Sequence, residues 1–244
     1  MMSWRLERFS ELPSTSDFCI ARAKEGEAAG LAVLAARQSA GRGSRGREWL
    51  SPPGNVALSV LLRPDITPAE SGMFPLLAGI AVVKAIERVL PGGAAPLLKW
   101  PNDVMIEGAK CAGLLIDAAP LKDRVEWLVI GIGINVAYAP DVPGRQTTCL
   151  TRHGAPCTAA DLAVSVLQTL AAQLEIFERS GPPAIVQAWQ SHAHPVGTAL
   201  TVKTAGTAVI GRFEGLTAAG ELRLRVQDRI EKFSTGEIFL GTGG

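Results

Sequence analysis

Seven residues at 41–47, GRGSRGR, hold three arginines among three glycines. Glycine lets backbone amides approach a ligand closely, and successive amides can form an anion-binding nest. Arginine adds a planar, permanently charged fork that suits phosphate oxygens. The chemistry this pairing supports is capture of a polyphosphate or a phosphate ester. The plainer alternative is a solvated basic loop. The stretch is not a P-loop, because no GK[ST] follows and the chain runs on toward a strand. Formal net charge is only +1, from 24 Lys+Arg against 23 Asp+Glu, so the basic character is local. A chain this close to neutral has no global attraction to DNA or anionic lipid, and neither partner is expected.

Four other stretches carry polar groups at positions that fit a site. In KWPND (99–103), Pro101 biases Trp100 toward an extended backbone, so Lys99 and Trp100 point to opposite sides. Trp100 is expected in the core, leaving Lys99 to hold a carboxylate and a phosphate together or, more simply, to snorkel beside a turn. KCAGLLID (110–117) places Lys110 at the head of a strand. VIGIGINV (129–136) sets Gly131 and Gly133 inside an apolar strand, which marks a ligand or backbone passing close, or a bulge. Asn135 at its end can read a base edge or simply cap the strand. STSD (14–17) reads as a helix N-cap, a role compatible with holding a polar ligand.

The elements that must position these groups alternate between strand and helix. Strands are expected near 6–9, 31–36, 55–63, 97–100, 104–106, 111–117 and 127–136, with EGAK (107–110) as a tight turn. Helices are expected at 14–27, at 68–90 with Pro75 at its true start or at a kink, from Thr158 with Asp161 completing a capping box, and at 183–191. From Val196 the texture shifts to short alternating strands between glycine-containing turns, as in a small barrel. The expected fold class is α+β, a mixed sheet flanked by helices over 1–194, with an SH3-like barrel over 195–244. At 47% hydrophobic the chain has material for a real core. The N-terminus lacks a signal-peptide pattern, no stretch reads as a membrane span, and four scattered cysteines fit a reducing cytoplasm.

Taken in order, GRGSRGREW, KWPND, KCAGLL and GIGIN resemble the biotin protein ligases over nearly the whole chain. That resemblance implies the fold just described. It also implies two reactions: biotin and ATP give biotinyl-5′-AMP and pyrophosphate with Mg²⁺, and biotin then passes to a lysine of a biotin carboxyl carrier protein. By the same resemblance Ser14, Thr15, Ser16, Gln38, Gly113 and Gly131 fall to biotin, with Arg42, Gly43 and Ser44 on the loop closing over it. Gly41, Arg45, Arg47, Trp49, Asn102, Lys110, Asn135 and Trp189 fall to the nucleotide, Trp189 by stacking. Lys99 bridges carboxylate and α-phosphate, with Arg42, Arg45 and Arg47 assisting catalysis, and Asp103 is the candidate Mg²⁺ ligand.

Three departures from the family pattern stand out: Ser44 in place of a second arginine, Ser16 in place of asparagine, and Cys111 in place of an aliphatic residue. The neighbouring activities are lipoate or octanoate transfer on the same fold and a non-catalytic biotin-binding module. Relatives occur as monomers or dimers, so a homodimer stays open. Many carry an N-terminal DNA-binding module, which is not expected here because the sequence starts almost at the first strand.

Overall fold

In the computed structural model, which describes residues 2–204 and 206–241, the elements run β1 (Arg5–Phe9), α1 (Thr15–Lys24), β2 (Leu31–Ala35), β3 (Val56–Leu62), α2 (Met73–Glu87), β4 (Pro96–Lys99), β5 (Asp103–Ile106), β6 (Ala109–Leu121), β7 (Arg124–Ile134) and α3 (Ala159–Gln190). A second set follows: β8 (Ala199–Thr204), β9 (Thr207–Leu216), β10 (Leu222–Val226), β11 (Arg229–Phe233) and β12 (Glu237–Leu240). Of the expected barrel, residues 205 and 242–244 lie outside the described residues.

The first seven strands form one mixed sheet in the order β1-β2-β3-β7-β6-β5-β4, in which β1 and β2 pair in parallel and the other neighbours antiparallel. β2 and β3 are buried along their whole length because both faces are covered. Leu31, Val33 and Leu61 face α1 with Cys19 and Ala23. Ala32, Leu34, Leu58 and Val60 face the larger core that holds α2 and α3. The five remaining strands form an antiparallel sheet, β11-β10-β9-β8-β12, and its inner residues Leu200, Phe213 and Leu224 join that same core.

Local chemistry sets the boundaries. Ser14 caps α1 by accepting from the Asp17 amide, and Thr158 caps α3 through Asp161. Pro75 falls in the first turn of α2, where its missing N–H costs nothing, so it marks the helix start and no kink. Gly181, at φ 69°, breaks α3 just before Pro182 and Pro183, separating the 183–191 segment as expected. Glu107 and Gly108 both take positive φ, the turn that joins β5 to β6 in two residues.

One expectation is corrected. Two helical stretches, Pro68–Glu87 and Ala159–Gln190, are long and apolar enough by length and composition to cross a membrane. Their apolar residues have another destination: α2 and α3 are packed on each other and on the sheet, with residues such as Leu77, Ile80, Val166 and Leu170 fully buried.

Candidate active site

The GRGSRGR loop is folded. Gly43 donates to the Arg47 carbonyl and Trp49 to the Gly41 carbonyl, making a narrow hairpin with Arg45 at its tip at φ 60°. Its entry is strapped down. Arg42 donates both to Asp17 on α1 and to Asp117 on β6, the latter at 2.6 and 2.8 Å. Burial opposes the Arg42 charge, but the bonds to Asp117 and then Asp17 outweigh it and hold the guanidinium pKa above its ordinary value. Arg42 is therefore a neutralised strap in this state, whereas Arg45 and Arg47 project from the other side of the hairpin.

Beneath the loop lies a cleft lined by Thr15, Ser16, Gln38, Trp49, Lys110 and Gly131, among others. Its floor is the middle of β6 and β7, and the glycines there make room for side chains. A Cβ on Gly131 would stand 2.5 Å from Ser16 Oγ, and one on Gly113 would stand 3.0 Å from the Trp49 ring. A Cβ on Gly133 would stand 2.3 Å from two atoms of that ring. The close approach read from VIGIGINV is thus made by Ser16 and the Trp49 indole. One wall is a buried polar chain: Gln38 Oε1 accepts from the Thr15 amide at 2.8 Å and from its hydroxyl at 3.0 Å. Ser59 hydrogen-bonds both Thr15 and Ser16, and Ser51 accepts from Gln38. Ser14 is buried at the helix cap, one residue behind this wall.

KWPND divides as the alternation requires. Trp100 is buried, its indole N–H donating to the Gly220 carbonyl, and Lys99 faces outward. Asn102 donates to the Leu114 carbonyl and so ties the turn to β6 beside the cleft. The Lys99 ammonium lies 3.5 Å from Asp103 and reaches a second cleft shared with Arg45, Arg47, Arg145 and Glu237. Lys110 also pairs with Asp103, lies 5.4 Å from the Trp49 ring centre and lines the first cleft. The lysine between the polar pocket and the arginines is therefore Lys110, with Lys99 one step further along.

Lys110 sits on one Asp103 carboxylate oxygen and Lys99 on the other, so in this arrangement both oxygens are paired with ammonium groups and neither is open to Mg²⁺. Asp103 instead holds two ammonium groups together.

Asn135 is buried at the end of β7, donating to the Thr148 carbonyl, while its Oδ1 has no partner among the described residues. It borders a third cleft, with Arg47, Trp49, Lys110 and Arg145. Asn55 fixes this corner by accepting the amides of Val136, Ala137 and Tyr138 at 3.0–3.1 Å. Trp189 is a correction. Its ring is 2% exposed and packs edge-on against Phe213 between α3 and the C-terminal sheet, so it has no free face for stacking.

Sequence reasoning missed Ser51, Ser59, Asn55, Asp117, Arg145 and Glu237. A serine inside the otherwise apolar VALSVLL was the available signal for Ser59. Arg145 and Glu237 gave none, since their meeting is 92 residues apart in the chain.

Residues 12–135 match the biotin/lipoate A/B protein ligase family, and residues 197–241 match the biotin protein ligase C-terminal domain. The chain is 33% identical over 218 residues to the biotin–[acetyl-CoA-carboxylase] ligase of Paracoccus denitrificans, covering 86% of this chain and 90% of that one. It is 34% identical to the bifunctional ligase/repressor BirA of Bacillus subtilis, covering 87% of this chain and 66% of that longer protein. In structure it is similar to the Aquifex aeolicus biotin protein ligase solved with biotin and ATP, at a TM-score of 0.80, 28% identity, and coverage of 98% and 99%. The chain belongs to the biotin/lipoate A/B protein ligase family.

Proposed function

We propose that this chain is an ATP-dependent biotin protein ligase. The observation that carries the reading is the adjacency of three clefts: Lys110 and Trp49 line both the polar pocket under the loop and the corner where the buried Asn135 amide oxygen is unpartnered among the described residues, and Lys110 shares Asp103 with Lys99, which lines the cleft of Arg45, Arg47 and Arg145. Each cleft suits one part of a two-substrate reaction. The hydroxyls of Thr15 and Ser16 and the Gln38 amide offer donors and acceptors to a ureido ring. Asn135 Oδ1 offers an acceptor to an exocyclic amine. Arg45 and Arg47 face the phosphates.

In the first step a biotin carboxylate oxygen attacks the α-phosphorus, and the bond to the departing pyrophosphate breaks. Lys110 stands where it can hold both anions, so its charge offsets the repulsion between them and the charge that builds on phosphorus. In the second step an acceptor lysine amine attacks the acyl carbon and loses a proton, and AMP leaves. The acceptor is the lysine of a biotin carboxyl carrier domain. The folded loop and the Trp49 lid limit access of water to the mixed anhydride between the two steps. The match of residues 197–241 supports biotin over lipoate as the acid. Four cysteines, all free, suit a reducing cytoplasm.

The test supplies ATP with biotin or with lipoate and weighs a carrier domain. A mass gain of one biotinyl group is expected, and a gain with lipoate alone rejects the reading.

A further inference from the structure

Three guanidinium groups converge on one carboxylate. Glu237, the first residue of β12, receives Arg45 at 3.1 Å on Oε2 and Arg47 at 3.0 Å on Oε1, with Arg145 also on Oε1. Lys99 and Lys110 gather beside them on Asp103. Five cations thus face two carboxylates across two adjoining clefts, lined also by Asn102, Ile238 and Gln146. Arg145 is held in this cluster by its backbone. Its amide closes a turn onto Val142, and the next residue, Gln146, accepts from the Lys110 amide at 2.8 Å. Like charges brought this close repel, and a carboxylate with two oxygens leaves two of the three arginines sharing one. A phosphoryl group has three outer oxygens and more charge, and would give each fork its own acceptor.

We infer that Arg145 is a third arginine of the polyphosphate site, and that Glu237 occupies this site as a built-in anion which the nucleotide's phosphates displace. Nucleotide binding then trades one carboxylate for a polyphosphate, and β12 loses its hold on the loop arginines. Loop and C-terminal sheet are tied together when the site is empty, and released from each other when it fills. The inference rests on reading this cleft as the nucleotide site.

The experiment titrates inorganic pyrophosphate into the full chain without biotin or acceptor, comparing wild type with Arg145→Ala and Glu237→Gln by calorimetry. A hydrogen bond to a charged group is worth enough that Arg145→Ala should weaken binding about tenfold or more, and Glu237→Gln should tighten it by a similar factor. Unchanged affinity in Arg145→Ala, or binding no tighter in a folded Glu237→Gln, overturns the inference. Circular dichroism checks the fold. Should Glu237→Gln not fold, the Arg145→Ala titration decides alone. Because no biotin is present, a chain that binds pyrophosphate this way yet makes no biotinyl adenylate fails the ligase reading and leaves this one standing.

Discussion

Gly133→Ala adds one methyl group where the Trp49 indole rests. The new Cβ would lie closer than 3.0 Å to three atoms of that ring, a separation real Cβ atoms do not show. The β7 backbone cannot yield, because Gly133 is paired with Ala57 on one side and Gly113 on the other. The indole must therefore leave its seat. Overpacking of this kind costs about 1–3 kcal/mol, and a tryptophan driven off an apolar floor loses a similar amount. If the seated indole closes the intermediate in, about 1–3 kcal/mol converts to roughly a five- to 150-fold faster escape of biotinyl-5′-AMP. The assay is the dissociation rate of the adenylate from the enzyme, measured together with the thermal midpoint, in a cycle with Trp49→Ala. In the Trp49→Ala background the three atoms nearest the added methyl are gone, so its further effect should fall below about 0.5 kcal/mol. An equal effect in both backgrounds, or unchanged adenylate retention in Gly133→Ala, refutes the reasoning.

Other outcomes are expected at separate points. Arg42→Ala should speed tryptic cleavage within 41–47, because Asp17 and Asp117 then no longer hold the loop, while the thermal midpoint drops by only about 2–4 °C, as for a partly exposed ion pair. His194 has its pKa lowered, first by burial and then by Lys99, and its Nε2 has no partner among the described residues. A folded-state pKa below the unfolded 6.5 means the unfolded chain takes up the proton first, so stability is full above that pH and falls as pH drops through it toward the folded value. Thermal melts of wild type and His194→Gln should diverge below about pH 6.5, and parallel pH profiles would remove His194 from the account. The Cys111 thiol is pushed up to about 12, mainly by burial and secondarily by Cys149 and Cys157, so iodoacetamide at pH 8 should label it only after unfolding. Peptide mapping that finds Cys111 alkylated in the folded chain would contradict that burial.

What the sequence disclosed followed local rules. Alternation across Pro101 put Trp100 inside and Lys99 out, Ser14 and Thr158 announced helix starts, and paired glycines in VIGIGINV announced a close approach. What it withheld depended on chain segments meeting at long range. Nothing near GRGSRGR says that Arg42 meets Asp117, 75 residues away, or that Arg47 meets Glu237, 190 residues away. Lys99 and Lys110 were both visible as cations, but which one borders the pocket depends on how the β4–β5–β6 hairpins bring both ammonium groups onto Asp103. Trp189 misled for a related reason: on an amphipathic helix, a core tryptophan and a stacking one occupy the same position in the pattern. The expectation that no stretch is long and apolar enough to span missed α2 and α3 because a helix packed on two sides is as apolar as a spanning one.

The most direct measurement follows ATP labelled on its α-phosphate through a single turnover with biotin, in wild type and in Lys110→Ala. Wild type should yield labelled biotinyl-5′-AMP only when biotin is present, and Lys110→Ala should form it about a hundredfold or more slowly. Absence of that product in wild type, or its formation at the wild-type rate without the Lys110 ammonium, would contradict a site in which this lysine brings a carboxylate and a phosphate together.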